Sequence, residues 1–142
     1  MTRPDFFTAL RTVEDFHRLL EEEEAKTAPL QKPFGILRIE ARGMVRPGDL
    51  VALYRAVSGA VRHTDRVVAI GGTGLATLLQ DADAARVDAV AHRVRAAASH
   101  GRGWRTQLGS ASVRPGSSGG WQEAWRLAGA LLVADGAVAA AA

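Results

Sequence analysis

Apolar residues recur every three or four positions in four stretches of the chain, which is the spacing of one face of an α-helix. The first stretch predicts an N-terminal helix that starts after Pro4 and Asp5 and runs to about Ala25. Its apolar positions are Phe6, Leu10, Val13, Phe16 and Leu20. A linker at 29–33, which begins and ends with proline, follows this helix.

Three further helices are predicted from the same spacing. Asp49 is a candidate N-cap for the second helix. Asp81 and Asp83 precede the third, where the helix dipole favours acidic side chains. The last helix is predicted at 121–139. The apolar faces of these helices are, in order, Leu50, Leu53, Tyr54, Val57 and Val61; Val87, Val90, Val94 and Ala97; and Trp121, Trp125, Ala128 and Leu132.

Four short segments between these helices are typical of β-strands. They are 34–40, 66–70, 75–79 and 105–113, and loops rich in glycine and proline lie at 42–48 and 115–120. The middle of the chain therefore has the order βαββαβ, which is the ferredoxin-like arrangement. We expect one α+β domain over 1–142, with an antiparallel sheet that has helices on one face. Its core is 34–113, preceded by the helix and linker of 1–30.

Composition favours a folded domain and excludes several kinds of site. The 142 residues are 47% hydrophobic and 23% charged, enough to bury a core. The absence of cysteine excludes disulfides, thiolate zinc sites and a cysteine nucleophile.

Charge and hydropathy make several partners improbable. The net charge is only +3 and the arginines are scattered among acids, so no nucleic-acid partner is expected. No apolar run approaches the length of about 20 residues that spans a bilayer, so we expect no membrane contact and a cytoplasmic location. The acidic run Glu21–Glu24 is interpreted as a solvated helix face, because four consecutive side chains point around a helix and do not converge on a metal.

One hairpin carries a family resemblance. Arg62 and Asp65 stand just ahead of a strand that leads into Gly71-Gly72-Thr73-Gly74-Leu75. This hairpin resembles the signature of GGDEF domains, the catalytic domains of diguanylate cyclases. Gly71 and Gly72 match the glycines of the signature, whereas Thr73 and Gly74 stand where two acidic residues are expected. Leu75 follows them, so the signature is present in a degenerate form.

Other segments resemble the same family in the same order along the chain. Segment 5–10, Asp-Phe-Phe-Thr-Ala-Leu, is similar to the Asp-x-Leu-Thr-Gly-Leu opening of those domains. Segment 106–111, Thr-Gln-Leu-Gly-Ser-Ala, is similar to their later strand motif Val-Ser-Ile-Gly-Val-Ala. The resemblance implies a nucleotide-cyclase-type fold over most of the chain.

The resemblance also implies that catalysis is lost. Family members hold two metal ions with a strand-end aspartate and an acid of the signature. Here Glu40 lies near the first position, Arg42 replaces the second aspartate of that strand end, and Thr73 and Gly74 replace the signature acids. One carboxylate is too few, because hard cations need several oxygen ligands. The guanine-reading loop is shortened and Asp135 stands near the position of a family lysine. We expect no catalytic residue, metal or cofactor.

One ligand-binding element of the family is retained. In GGDEF domains an Arg-x-x-Asp just ahead of the signature binds the product, cyclic di-GMP, and Arg62 and Asp65 match it. Arg93, with Arg95 beside it, falls near a further arginine that family members add to this site. A guanidinium can pair with a phosphate or a guanine edge, and a carboxylate can accept the guanine N1 and N2 hydrogens. The plainer interpretation is that Arg62 caps a helix and Asp65 turns the chain.

Two functions therefore stay open. The first is a catalytically inactive signalling module that acts as a cyclic di-GMP receptor through Arg62, Asp65 and Arg93. The second is a protein-interaction or dimerisation module without nucleotide, acting through the tryptophan-bearing helix or the N-terminal helix. Residual GTP binding without turnover is a third option, which the shortened base-reading loop disfavours.

Overall fold

The computed structural model describes residues 11–44, 46–71, 74–99 and 103–141. Within these ranges the elements follow in the order α1 (Val13–Thr27), β1 (Phe34–Arg42), α2 (Pro47–Ala60), β2 (Arg66–Ala69), β3 (Gly74–Leu79), α3 (Ala84–Ser99), β4 (Arg105–Val113) and α4 (Gly120–Ala141). The predicted βαββαβ core, flanked by a helix on each side, is confirmed. None of the helices in these ranges is long and apolar enough to cross a membrane.

The four strands form one antiparallel sheet in the order β2-β3-β1-β4. Strand β1 is central, and its residue Leu37 lies opposite Thr77 of β3 and Ser110 of β4. This order brings the end of β1 beside the start of β3, where the hairpin connection from β2 ends.

Helices cover both faces of the sheet. Leu37 and Ile39 of β1 point to a core shared with α2 and α3. Phe34 and Ile36 point to a second core shared with α1 and α4. Alternation along a strand sends successive side chains to opposite faces, so one buried strand contributes to both cores. The prediction of helices on one face holds for the two inner helices only, because the terminal helices cover the other face.

The start of α1 differs from the prediction. The helix begins at Val13, because Thr12 is its N-cap: the Thr12 hydroxyl accepts a hydrogen bond from the Asp15 amide at 3.1 Å. Asp15 in turn accepts from the Thr12 amide, forming a capping box, and these hydrogen bonds lower the pKa of Asp15. The helix ends at Thr27 rather than near Ala25. The predicted helical positions and family-like motif within 1–10 lie outside the described residues.

The predicted cap of α2 is wrong by one turn. Helix α2 begins at Pro47, which needs no hydrogen-bond acceptor for its backbone nitrogen at the first helical position. Arg46 is the N-cap residue, and Asp49 lies inside the first turn, where its Oδ2 accepts from the Arg46 amide at 3.0 Å. Asp83 does cap α3, accepting from the Arg86 amide at 2.9 Å. The buried alanine near the end of α3 is Ala98 rather than Ala97.

The acidic run of α1 is only partly a solvated face. Glu21 and Glu22 are exposed as predicted, but Glu23 is buried and Glu24 reaches across to α4. The Glu24 carboxylate accepts from the Trp121 amide at 2.9 Å. Helix α4 begins at Gly120, so its own sequence offers no side-chain cap, and α1 supplies the carboxylate that the helix N-terminus favours.

Candidate functional site

Strands β2 and β3 pair closely on either side of the hairpin connection. The Ile70 amide donates to the Gly74 carbonyl at 3.1 Å, and Ala69 pairs with Leu75. Gly71 has a φ of +113°, a conformation that residues with a Cβ rarely adopt. The backbone therefore favours glycine at position 71. Gly72 and Thr73 lie outside the described residues.

Glu40, the acid predicted near the family's metal position, lies directly beside this hairpin. It pairs with Gly74, the first residue of β3. A cleft of about 220 Å³ is lined by residues from β1, the hairpin and the flanking helices, among them Arg38, Glu40 and Gly71. Among the described residues that line it, this cleft thus contains one carboxylate, from Glu40, and one guanidinium, from Arg38.

Arg38 is held in this cleft by α4. Its guanidinium carbon lies 4.0 Å from the centre of the Trp125 ring, and its Nη1 donates to the Trp125 carbonyl at 3.4 Å. Burial lowers the pKa of Arg38, while Glu40 opposes that shift. Gly129 makes room for this arrangement, since a Cβ there would lie 2.3 Å from Nη1 of Arg38.

Carboxylates are not clustered here as they are in a metal centre. Arg42, predicted to stand in the place of a family aspartate, is exposed at the end of β1 and pairs with Arg105. In the part of the chain that the structure describes, no three His, Cys, Asp or Glu side chains are grouped closely enough to bind a metal ion together.

The second candidate site is the turn between α2 and β2, where Asp65 is buried. Its Oδ2 accepts from the Arg62 amide and its Oδ1 accepts from the Gln80 amide, each at 3.0 Å. The Asp65 amide also donates to the Arg62 carbonyl at 3.0 Å. The Asp65 side chain is only 1% exposed, so the carboxylate ties this turn to the end of β3.

Arg62 lies in the same turn with its side chain partly open to solvent. The side chain is 35% exposed, and its Nε lies 3.7 Å from Oδ2 of Asp65. Its Nη2 donates to the Gln80 carbonyl. The guanidinium therefore stands at the surface with a defined direction, held by a carboxylate and by a backbone carbonyl.

Arg93 approaches the same turn from α3. Its Nε donates to the Ala60 carbonyl, the last residue of α2, at 3.3 Å. Arg93, which is distant in sequence, thus reaches the end of α2 beside the turn that contains Arg62 and Asp65. Arg95 does not join them, because its Nη1 binds Oδ2 of Asp135 in α4 at 2.8 Å. Asp135 also accepts from the Leu108 amide at 2.8 Å, so it has a structural role.

The architecture agrees with solved structures of GGDEF domains. The chain superposes on the GGDEF domain of FimX from Pseudomonas aeruginosa with a TM-score of 0.77 at 15% identity, covering 95% of this chain and 94% of that one. The chain has the fold of a GGDEF domain. No family model matches its sequence, and no curated protein matches it.

Two further structures share this GGDEF fold. The diguanylate cyclase SiaD from Pseudomonas aeruginosa, solved with its activator SiaC, gives a TM-score of 0.76 at 18% identity over 91% of this chain. The match covers 56% of SiaD, so this chain spans little more than half of that protein. The coiled coil and GGDEF domain of DgcB from Caulobacter crescentus, solved with c-di-GMP, gives 0.74 at 14% identity, covering 93% of this chain and 79% of that one.

Several contacts of the second candidate site had no signal in the sequence. Gln80 holds Arg62 and Asp65 through its backbone amide and carbonyl, which any residue type could offer. The Ala60 carbonyl that accepts from Arg93 is likewise a backbone group, so the residue type at position 60 does not predict this contact. The contact of Glu24 with α4 had an indirect signal, because Gly119 and Gly120 leave that helix without a side-chain cap of its own.

An apolar patch lies on the outer side of α4. Leu127 and Leu131 are one helical turn apart and 44% and 45% exposed, whereas Val133, 71% exposed, lies on a different side of the helix. The tryptophans of this helix, by contrast, contact α1: Trp121 and Trp125 lie with their ring centres 5.0 Å and 4.9 Å from that of His17. If this helix carries an interaction surface, leucines form it.

Proposed function

We propose that the chain is a non-catalytic signalling module with a GGDEF fold that binds cyclic di-GMP at the turn between α2 and β2. The observation that carries this proposal is that Arg93 reaches the end of α2 beside the turn that contains Arg62 and Asp65. DgcB, which shares the fold, was solved in complex with this ligand, which supports the choice of nucleotide.

The two arginines offer the chemistry that a cyclic dinucleotide needs. The ligand carries two phosphates and two purine bases, and a guanidinium can bind a phosphate or stack on a base. Each charged hydrogen bond contributes about 1.5–3 kcal/mol. Two arginines together with base stacking support a dissociation constant in the micromolar range, or about 8 kcal/mol of binding free energy.

The absence of catalysis is part of the same proposal. The hairpin cleft holds Glu40 beside Gly74, which has no side chain to serve as a metal ligand. Arg38 places a positive charge in that cleft, where the divalent cations of a cyclase would have to bind. Like charges at short range in a partly desolvated site disfavour metal binding, and one carboxylate offers too few oxygens.

Isothermal titration calorimetry with cyclic di-GMP tests the proposal. We expect the wild-type chain to bind with a micromolar dissociation constant, and Arg93→Gln to weaken binding about tenfold, because it removes a charged contact. Arg86→Gln is the matched control, since Arg86 is an exposed arginine of the same helix. With GTP and Mg²⁺ or Mn²⁺, we expect neither pppGpG nor a cyclic product.

Three results would contradict this proposal in different parts. No binding heat from the wild-type chain at millimolar ligand would refute the receptor function. Robust formation of cyclic di-GMP from GTP would refute the loss of catalysis. Equal weakening by Arg86→Gln and Arg93→Gln would show that only the general charge of α3 attracts the ligand.

The alternative function is a protein-interaction or dimerisation module. The exposed leucines of α4 favour it, because Leu127 and Leu131 form an apolar stripe that a partner helix could cover. SiaD, which shares the fold, was solved with a protein activator, which supports a protein partner. Light scattering separates the alternatives: a mass above that of the monomer, independent of cyclic di-GMP and lost in Leu127→Glu, would favour the interaction module.

A further inference from the structure

We infer that Asp65 builds the cyclic di-GMP site without touching the ligand, so that recognition falls to the guanidinium groups of Arg62 and Arg93. This inference rests on the proposed function. The family resemblance assigns the carboxylate to the guanine edge. In this chain the Asp65 carboxylate instead accepts hydrogen bonds from two backbone amides.

Both oxygens of the Asp65 carboxylate are already engaged. Oδ1 accepts from the Gln80 amide and Oδ2 from the Arg62 amide, each at 3.0 Å. The side chain is 1% exposed, so a base could reach it only if the turn opened. Opening would leave two backbone N–H groups without their acceptor, and buried donors are costly to leave unpaired.

The same contacts explain how Asp65 acts through Arg62. The carboxylate holds the amide of Gln80, and the carbonyl of Gln80 accepts from Nη2 of Arg62. Asp65 also lies 3.7 Å from Nε of Arg62. Asp65, Gln80 and Arg62 therefore close a ring of contacts that sets the direction of the Arg62 guanidinium. Asp65 is a positioning residue in this site.

A change in the ligand separates positioning from contact. A carboxylate that touches guanine accepts hydrogen bonds from N1 and from the 2-amino group. Cyclic di-IMP lacks the 2-amino groups and keeps the phosphates, O6 and N7, which are the groups that arginines bind. We expect the wild-type chain to bind cyclic di-IMP and cyclic di-GMP within about threefold of one another, because no charged hydrogen bond is lost.

The variant Asp65→Asn completes the test. We expect it to lower the melting temperature and to weaken both ligands by the same factor, measured below its melting transition. A preference of the wild type for cyclic di-GMP of about tenfold or more, lost in Asp65→Asn, would overturn the inference. If the variant does not fold, the comparison of the two ligands on the wild type still decides. Absence of any binding by the wild type would refute the proposed function itself, and with it this inference.

Discussion

Gly109 shows how one residue fixes the approach of a helix to the sheet. A Cβ at this position would lie 1.8 Å from the Ala128 carbonyl oxygen and 2.6 Å from the Leu132 amide nitrogen, both in α4. These are backbone atoms of a regular helix, so no side chain can rotate away to relieve the clash. The match of this glycine to the family's strand motif thus has a physical cause, which is the direct contact of α4 with β4.

Gly109→Ala is therefore expected to be strongly destabilising. We predict a loss of about 3 kcal/mol or more in the free energy of unfolding, the upper end for overpacking, because α4 must move as a unit. Urea unfolding followed by circular dichroism measures it. Gly59→Ala is the control, since a Cβ at this helical position meets nothing within 4 Å. It should stabilise by about 0.5–1 kcal/mol. A Gly109→Ala chain as stable as the wild type would contradict the seating of α4 on β4.

At the same scale, the sequence pointed to Arg62 and Asp65 as candidate residues, but it did not show which groups hold them in place. The spacing of Arg62 and Asp65 was visible, and the turn interpretation of Asp65 agrees with its burial. The partner that closes the ring is the backbone of Gln80, and a backbone group leaves no pattern in the sequence. The sequence shows where the arginines stand along the chain. The direction of the Arg62 side chain depends on the contact of its turn with Gln80, at the end of β3.

Among the elements, α1 and α4 are joined by ring packing and by a helix cap. Phe16 lies with its ring centre 5.5 Å from that of Trp125, and the carboxylate of Glu24 caps the start of α4. His17 contacts both tryptophans of α4, and its Nε2 is buried without a hydrogen-bond partner in the described structure. An imidazole in this position is favoured in its neutral form.

The contact makes the packing of α1 dependent on pH. Burial lowers the pKa of His17, and Arg38 of β1 acts in the same direction, while Glu14 opposes them. Because the pKa is lower in the folded chain than in the unfolded one, His17 favours folding fully above the unfolded value of about 6.5. That contribution is lost as the pH falls from there through the lowered folded pKa. We predict a lower urea midpoint at pH 5 than at pH 7.5.

Substitution of His17 measures how much of the loss of stability at low pH comes from this residue. His17→Phe keeps a ring between the two tryptophans and removes the titration, so it should lose less stability than the wild type between pH 7.5 and pH 5. His92→Phe, at an exposed position of α3, is the control and should follow the wild type. An identical pH dependence in His17→Phe and the wild type would show that His17 is not held in its neutral form.

The elements themselves were predictable where a local rule sets them. The strand 105–113 was placed correctly, and the apolar faces of α2 and α3 agree with their buried residues apart from Ala97. The early start assigned to α1 is instructive, because Thr12 and Asp15 form a capping box that apolar periodicity ignores. Periodicity finds a buried face, whereas hydrogen-bond chemistry at the ends decides where the helix begins.

For the whole molecule, the order of elements was enough to predict the sheet. It did not predict that α1 and α4 pack together on the second face of that sheet. The βαββαβ order restricts the strands to few arrangements, and the observed order β2-β3-β1-β4 is the ferredoxin-like one. An amphipathic pattern shows that a helix buries one side, without saying against what. The pairing of α1 with α4 over Phe34 and Ile36 depends on contacts between the two ends of the chain, which local patterns do not carry.

This second face makes α1 an integral part of the domain. Phe16 and Leu20 of α1 are fully buried against the sheet and α4. Burying side chains of this size contributes about 1.5–3 kcal/mol each, and a domain has only about 5–15 kcal/mol of total stability. Deleting 1–31 would remove both side chains, the His17 contact and the cap that Glu24 provides.

We therefore predict that a chain starting at Lys32 loses cooperative thermal unfolding and binds the dye ANS, because it exposes Phe34, Ile36 and Trp125. Adding a synthetic peptide of 11–31 should restore cooperativity, whereas the same peptide with Phe16→Ser and Leu20→Ser should not. A shortened chain that unfolds cooperatively at the wild-type temperature would show that the inner helices and α4 suffice. The free energy of unfolding would then not depend on α1, and the packing of Phe16 and Leu20 would not stabilise the domain.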